Sequence, residues 1–215
     1  MDRRLYTVLL TVLIALVAVA LPAAAASSVV LPRAGQVGLG VQAQYGTMLQ
    51  SGGLGEEFGA GGGLTVKVRY RMRYERAMGL TFDLQKLAAR DPSGRAGAFD
   101  SIIVTPGTPD IVRERLQINT AGIEFYQLFD TRERTVKMIS AGVGLTQISS
   151  HLSNGETQYP IAGDGAYFSL GGGLERFFFR SIAWDLGIKY MGILHDGKLN
   201  SDFQVQGGLI FYAAY

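Results

Sequence analysis

Phe203-Gln-Val-Gln-Gly-Gly-Leu-Ile-Phe-Tyr-Ala-Ala-Tyr215 ends the 215-residue chain, and its side chains alternate. Phe203, Val205, Leu209, Phe211, Ala213 and Tyr215 fall on one side; Gln204, Gln206, Gly208 and Tyr212 fall on the other. A period of two with one apolar and one polar face is a β-strand that separates two solvents. The pattern reads as the closing strand of a transmembrane β-barrel.

Seven further segments of the same kind lie upstream. They run from about Gln36 to Met48, Gly61 to Met72, Glu75 to Lys86, Ile118 to Leu128, Val136 to Ser149, Gly165 to Phe178 and Ser181 to Leu194. The second is the most telling, because Leu64, Val66, Val68, Tyr70 and Met72 oppose Thr65, Lys67, Arg69 and Arg71. A soluble sandwich rarely turns three successive cations onto its inner face, whereas a barrel with a polar lumen does so. In the fourth segment Leu116 and Ile118 run out of phase with Ala121, Ile123 and Phe125, which calls for a bulge or a strand rising above the membrane. Each segment approaches the ~9–11 residues that a tilted strand needs to cross a bilayer.

The gaps alternate long and short. Leu49 to Ala60, Leu87 to about Gln117, Ser150 to Asp164 and His195 to Asp202 are long; Arg73-Tyr74, Phe129 to Arg134 and Phe179-Arg180 are short. An up-and-down membrane barrel with both termini in the periplasm predicts this rhythm, with four long loops outside. A soluble eight-stranded barrel has no reason to keep it, and its outer face would not be apolar. Tyr70, Tyr74, Phe177, Phe178, Phe179, Trp184, Phe211, Tyr212 and Tyr215 gather near the turn-side ends, with Phe82, Tyr190 and Phe203 toward the loops. Such rings favour the headgroup level of a membrane.

The N-terminus reads as an export signal over residues 1–26. Arg3 and Arg4 precede an apolar run from Leu5 to Leu21, Pro22 breaks it, and Ala24-Ala25-Ala26 offers a cleavage site. A retained membrane helix is the rival, since the run is barely long enough to span. Residues 27–215 would then form one barrel domain. The formal charge of +2 falls to +1 without Asp2, Arg3 and Arg4 (two cations and one anion), which makes no electrostatic case for nucleic acid. The chain has no Cys, hence no disulfides and no thiolate metal site. Its two His lack partners at metal spacing, and no cofactor is expected. Gly is 29 of 215, about twice the usual ~7%, but the runs Gly61 to Gly63 and Gly171 to Gly173 lie inside strands rather than before a helix.

The predicted inward charges are Lys67, Arg69, Arg71 and Lys189 against Asp83, Glu124, Glu175 and Asp185. Four cations meet four anions, so cross-lumen pairs are expected to plug the barrel rather than line a wide pore. A narrow gated channel is the alternative.

Taken together, these features resemble the small outer-membrane barrels of Gram-negative bacteria: the OmpA transmembrane domain, OmpX and related porin-like surface proteins. The signal sequence, the eight segments, the gap rhythm, Gly171 to Glu175 and the terminal strand Gln206 to Tyr215 carry the resemblance. It implies an eight-stranded antiparallel up-and-down barrel in an outer membrane, surrounded by lipid and lipopolysaccharide, with a surface role and an unidentified extracellular ligand. It also implies that the barrel-assembly machinery reads Leu209, Phe211 and Tyr215, with Tyr where Phe is more frequent. His151-Leu-Ser153-Asn154 resembles the His-x-Ser-Asn signature of outer-membrane lipid A deacylases, in which alternate strand residues would pair a base with a nucleophile. In that family the motif lies near the C-terminus, whereas here three strands follow it, and Ser-Asn-Gly is also an ordinary turn sequence. A non-enzymatic barrel is the expected reading.

Overall fold

A computed structural model describes residues 34–49, 53–90, 112–153, 158–179 and 181–213, and gives no side-chain detail at 112–114, 151–153 and 158–162. The eight strands are β1 (Val37–Met48), β2 (Phe58–Arg73), β3 (Arg76–Ala89), β4 (Val112–Phe129), β5 (Thr135–Ser153), β6 (Gln158–Phe179), β7 (Ile182–His195) and β8 (Lys198–Tyr212). A single helical turn, α1 (Leu54–Glu57), lies between β1 and β2. Each strand pairs antiparallel with its sequence neighbour, and β1 pairs with β8 from Gly38↔Tyr212 to Met48↔Asp202, which closes the barrel. The expected export signal at residues 1–26 and the terminal Tyr215 lie outside the described residues.

Alternation sorts the side chains by solvent. On β1, Leu39, Val41 and Tyr45 are exposed while Gln42 and Gln44 are buried; on β8, Val205, Leu209 and Phe211 are exposed while Gln204 and Gln206 are buried. The large apolar side chains Leu80, Phe82, Ile123, Phe125, Val143, Leu145, Leu170 and Ile188 continue this outer belt round the other strands. A protein that is apolar outside and polar within is built for hydrocarbon rather than water.

Several expectations need correction. Of the two readings of Leu116 and Ile118, the bulge is not needed, and β4 does continue past them to Val112. They continue the inward phase of Thr120 and Glu124, each 1% exposed, because the lumen itself turns apolar toward the loop end. The irregularity in β4 lies lower in the sequence, between Arg113 and Arg115. Phe177 and Tyr212 belong to no membrane girdle; they point inward and are buried. The expected loop from Ser150 to Asp164 is mostly strand, since β5 continues to Ser153 and β6 starts at Gln158. Above the apolar belt a strand has no hydrocarbon to face, so its sequence loses the alternation that marks it.

The expected long loop from His195 to Asp202 is a two-residue hairpin. His195 pairs with Lys198, and Asp196 and Gly197 both take positive φ, 50° and 71°. Those angles give the I′ turn whose twist matches antiparallel strands, and Asp-Gly is a preferred pair for it. Two of the four loop-end connections are therefore short, and the rim is uneven. β4, β5 and β6 have 18, 19 and 22 residues, against 12 in β1. Residues 158–165 of β6 continue past Ala166↔Leu194, the last pair with β7, so these strands form a wall above the barrel mouth.

Gly144 marks where the barrel wall admits nothing larger. A Cβ there would lie 2.3 Å from Ala121 O and 2.5 Å from the Tyr167 ring. Gly144→Ala is expected to destabilise the barrel by about 1–3 kcal/mol, because backbone cannot give way as a flexible side chain can. A lower urea midpoint in detergent, at unchanged circular dichroism, is the measurement; an unchanged midpoint refutes the packing account.

Candidate functional site in the barrel interior

The lumen is filled in three layers. At the loop end Met48, Phe58, Leu87, Leu116, Ile118, Ile148, Tyr167, Met191 and Ile193 make a buried apolar cluster. At the turn end Ala77, Tyr126, Leu128, Val136, Met138, Phe177, Ala183, Ile210 and Tyr212 make a second. The charged side chains lie between and among these layers, every one of them buried.

The eight charges singled out in the sequence come together in two linked groups. Arg69 Nη2 donates to Asp185 Oδ2 at 2.7 Å, its Nη1 lies 3.4 Å from Glu175 Oε1, and Arg71 Nη2 donates to Glu175 Oε2 at 2.5 Å. Lys67 Nζ stands 3.9 Å from Asp185. Higher up, Lys189 Nζ donates to Asp83 Oδ2 at 2.7 Å and lies 3.5 Å from Glu124. Aromatic groups complete the lower group. Tyr126 donates its hydroxyl hydrogen to Glu124, Tyr212 donates to Glu175, and the Arg69 guanidinium sits 4.3 Å from the Tyr126 ring centre. Arg71 faces Phe177 and Tyr212 at 5.6 and 5.2 Å. Burial makes each of these ions expensive on its own, and the partners across the lumen offset that cost.

A hydrogen-bonded ladder continues toward the loop end. Thr120 donates to Asp83 at 3.0 Å, and the Thr65 hydroxyl lies 2.7 Å from both Asp83 Oδ1 and Gln44 Oε1. Gln206 Nε2 donates to Gln44 Oε1 and Gln204 Oε1 at 3.3 and 3.0 Å, and Gln204 Nε2 donates to Asp202 Oδ2 at 2.8 Å. A polar cavity of ≈ 30 Å³ bounded by Lys67, Glu124, Asp185 and Lys189 has room for about one water.

Sequence reasoning missed two contributors. Asp202 is fully buried and has no Lys or Arg within ion-pair distance among the described residues, so the interior holds five carboxylates to four cations. Its signal was the inward phase of Gln204 and Gln206, which extends two residues back to Asp202. Arg90 is the other. Its Nε donates to Gly55 O and Phe58 O at 2.9 and 3.1 Å, and Nη2 donates to Met48 O at 2.6 Å. With the Leu54 amide donating to Asn200 Oδ1 at 2.9 Å, it ties α1 down, and Leu54 packs on the apolar layer below. No short-range sequence pattern marks a side chain that gathers three distant carbonyls.

His151 and Ser153 both lie on β5, opposite Arg115 and Val112 on one side and Pro160 and Gln158 on the other. The loop residues considered as their acid partner fall differently: Glu156 lies outside the described residues, and Asp164 lies on β6 opposite Gln147. Leu209 and Phe211 of the expected assembly signal face outward on β8, 37% and 48% exposed.

Comparison with known proteins gives architecture and little else. No protein-family model matches the chain, and no curated protein sequence matches it. Neisserial surface protein A superposes with a TM-score of 0.57 at 14% identity, over 81% of this chain and 96% of that one. This chain has the fold of the small outer-membrane barrels. Ail, the attachment invasion locus protein of Yersinia pestis, matches at 0.55 and 10% identity over 83% and 99% of the two chains. OprG from Pseudomonas aeruginosa matches at 0.52 and 10% identity over 86% and 99%. At such identities the likeness is one of strand number, order and closure, and the interior chemistry of this chain stands on its own residues.

Removing one partner of the lower group leaves the others buried and unmatched. Arg69→Met is expected to cost about 3–5 kcal/mol in urea unfolding. In the double variant Arg69→Met, Asp185→Leu the loss is expected to shrink well below the sum of the single losses. Strict additivity of the two substitutions would show that the pair is not coupled.

Proposed function

We propose that the protein is a non-enzymatic barrel of a Gram-negative outer membrane, with both termini in the periplasm and its lumen plugged by the charge pairs. The carrying observation is the interior: apolar side chains fill it at both ends, and Arg69, Arg71, Lys67 and Lys189 are engaged with carboxylates between them. Eight strands enclose a space that side chains fill, and a conducting path here would require breaking buried ion pairs. This weighs against the narrow-channel alternative.

Its work is then mechanical or interactive, performed at the loop end. The wall of β4 to β6, with the stretches of sequence that join β1 to β2 and β3 to β4, takes that role in place of the four long loops expected. Binding surfaces carried on a rigid scaffold are a common arrangement. That one structural neighbour is named for attachment and invasion is in keeping with this role. Lipopolysaccharide and phospholipid form its surroundings, and its last strand addresses it to the barrel-assembly machinery.

Two measurements test this reading. Protein in planar bilayers is expected to give no steady conductance across ±100 mV; steps that disappear in Glu175→Gln would favour the channel. Lipid A from expressing cells is expected to keep its acyl chains, identical in mass to that from cells expressing Ser153→Ala. A mass loss abolished by that substitution would make His151 and Ser153 a base and a nucleophile and overturn the non-enzymatic reading.

A further inference from the structure

The outer surface of the barrel is electrostatically one-sided. On β1, β2, β7 and β8 the outward phase holds no charge through the belt: Leu39, Val68, Leu186, Ile188, Val205 and Leu209 are typical. On the other half, Arg76 of β3, Lys137 of β5 and Arg176 of β6 take the outward phase close to the turn end. Arg132 lies exposed in the connection between β4 and β5. Lys137 is paired with Asp130 at 2.7 Å, and its side chain keeps 65% of its exposure. Arg76 is exposed and makes no ion pair among the described residues.

On this same half the wall is indented. Phe125, Ala141 and Leu170 are register partners on β4, β5 and β6, so a methyl group sits between two large side chains that are 55% and 57% exposed. The adjacent row, one step toward the turn end, is Arg76, Gln127 and Ile139, again partners in register. The result is a groove of ≈ 460 Å³ with Met72, Phe125, Ile139 and Leu170 along it and Arg76 and Gln127 at its turn-side end. That volume falls among those of small-molecule sites, roughly 300–1,000 Å³.

We propose that this groove holds one glycerophospholipid with an anionic headgroup. An acyl chain lies in the trough over Ala141, the phosphate meets Arg76, and the Gln127 amide donates to it. Lys137 is matched by Asp130, and Arg132 stands among the exposed Glu75 and Glu133, so Arg76 is the cation on which headgroup selection depends. Hydrocarbon must cover the trough in any bilayer, and a cation at the end of it selects the charge of the headgroup. The choice of phospholipid over lipid A rests on the proposed orientation, because the turn end would lie in the inner, phospholipid leaflet. At the loop end Lys86 and Arg115 also stand outward, with Lys86 opposite Gly62 and Gln117, and Lys86 serves as the control cation for that leaflet.

The test is native mass spectrometry of the protein purified folded in detergent, with equimolar phosphatidylglycerol and phosphatidylcholine of identical chains. Phosphatidylglycerol is expected to be retained over phosphatidylcholine by about five-fold, the scale set by one cation near a membrane surface. In Arg76→Gln the ratio falls toward one; in Ala141→Leu both lipids are lost; in Lys86→Gln nothing changes. Heat-modifiable migration on gels verifies that each variant is a folded barrel. Equal retention of the two lipids by the unsubstituted protein overturns the proposal, as does a loss in Lys86→Gln equal to that in Arg76→Gln. Preference for lipid A over phosphatidylglycerol at equal phosphate assigns the groove to the other leaflet and also overturns it. Loss of heat-modifiable migration in the unsubstituted protein refutes the barrel reading as well, whereas a heat-modifiable barrel without headgroup preference refutes this site alone.

Discussion

Arg69 is the side chain on which the interior depends. It has no access to solvent, and its guanidinium is surrounded by Asp185, Glu175 and the face of Tyr126. An ion in that position is tolerable only if the opposite wall supplies charge at the right height, which couples β2 to β6 and β7 through the lumen as well as round the ring. Strand register then becomes an electrostatic matter. A slip of one residue between any two strands would turn the inward charges toward hydrocarbon and the outward leucines toward one another. The alternation of the wall and the pairing across it specify the same closed arrangement, and this agreement between levels marks a sequence that folds to one structure.

The three layers divide the labour. Aliphatic side chains such as Leu87, Ile118 and Ile193 exclude water at the loop end, and Phe177, Tyr212 and Ile210 do so at the other. Between them the ion pairs sit in a medium where each hydrogen bond is strong and each missing one is costly. α1, held by Arg90, places Leu54 over the upper layer, so the closure includes backbone as well as side chains. The small residues Gly122 and Gly144 leave the space that the Tyr167 ring fills, and Gly142 leaves that beside Glu124 and Ser169.

Inside the hydrocarbon belt the fold was legible in the sequence, because there the two faces of each strand meet different surroundings and only one alternation survives. Val66, Val68 and Tyr70 against Lys67, Arg69 and Arg71 state the phase of β2 directly. Legibility ends where that contrast ends. Residues 150–153 and 158–164 lie in strands above the belt, and their composition resembles a loop. Leu116 and Ile118 looked out of phase only because the lumen was assumed polar throughout. Asp202 was hidden for a different reason, because the segment from His195 to Asp202 reads as a loop while it is strand. The partners of Arg69 could be named as a set, whereas which carboxylate meets which guanidine nitrogen depends on stagger round the barrel, and a linear pattern does not contain that.

The I′ hairpin at Asp196-Gly197 also bears on how this molecule tolerates change. Both of its residues use left-handed backbone and no residue is spare, so an epitope tag or peptide inserted there must rebuild the junction of β7 and β8 and, with it, the seam beside β1. At the end of β3 the described chain is fixed by Arg90, whose guanidinium holds the carbonyls of Gly55, Phe58 and Met48. The low side of the rim therefore behaves as a fixed hem, where evolutionary drift and engineered display have little freedom.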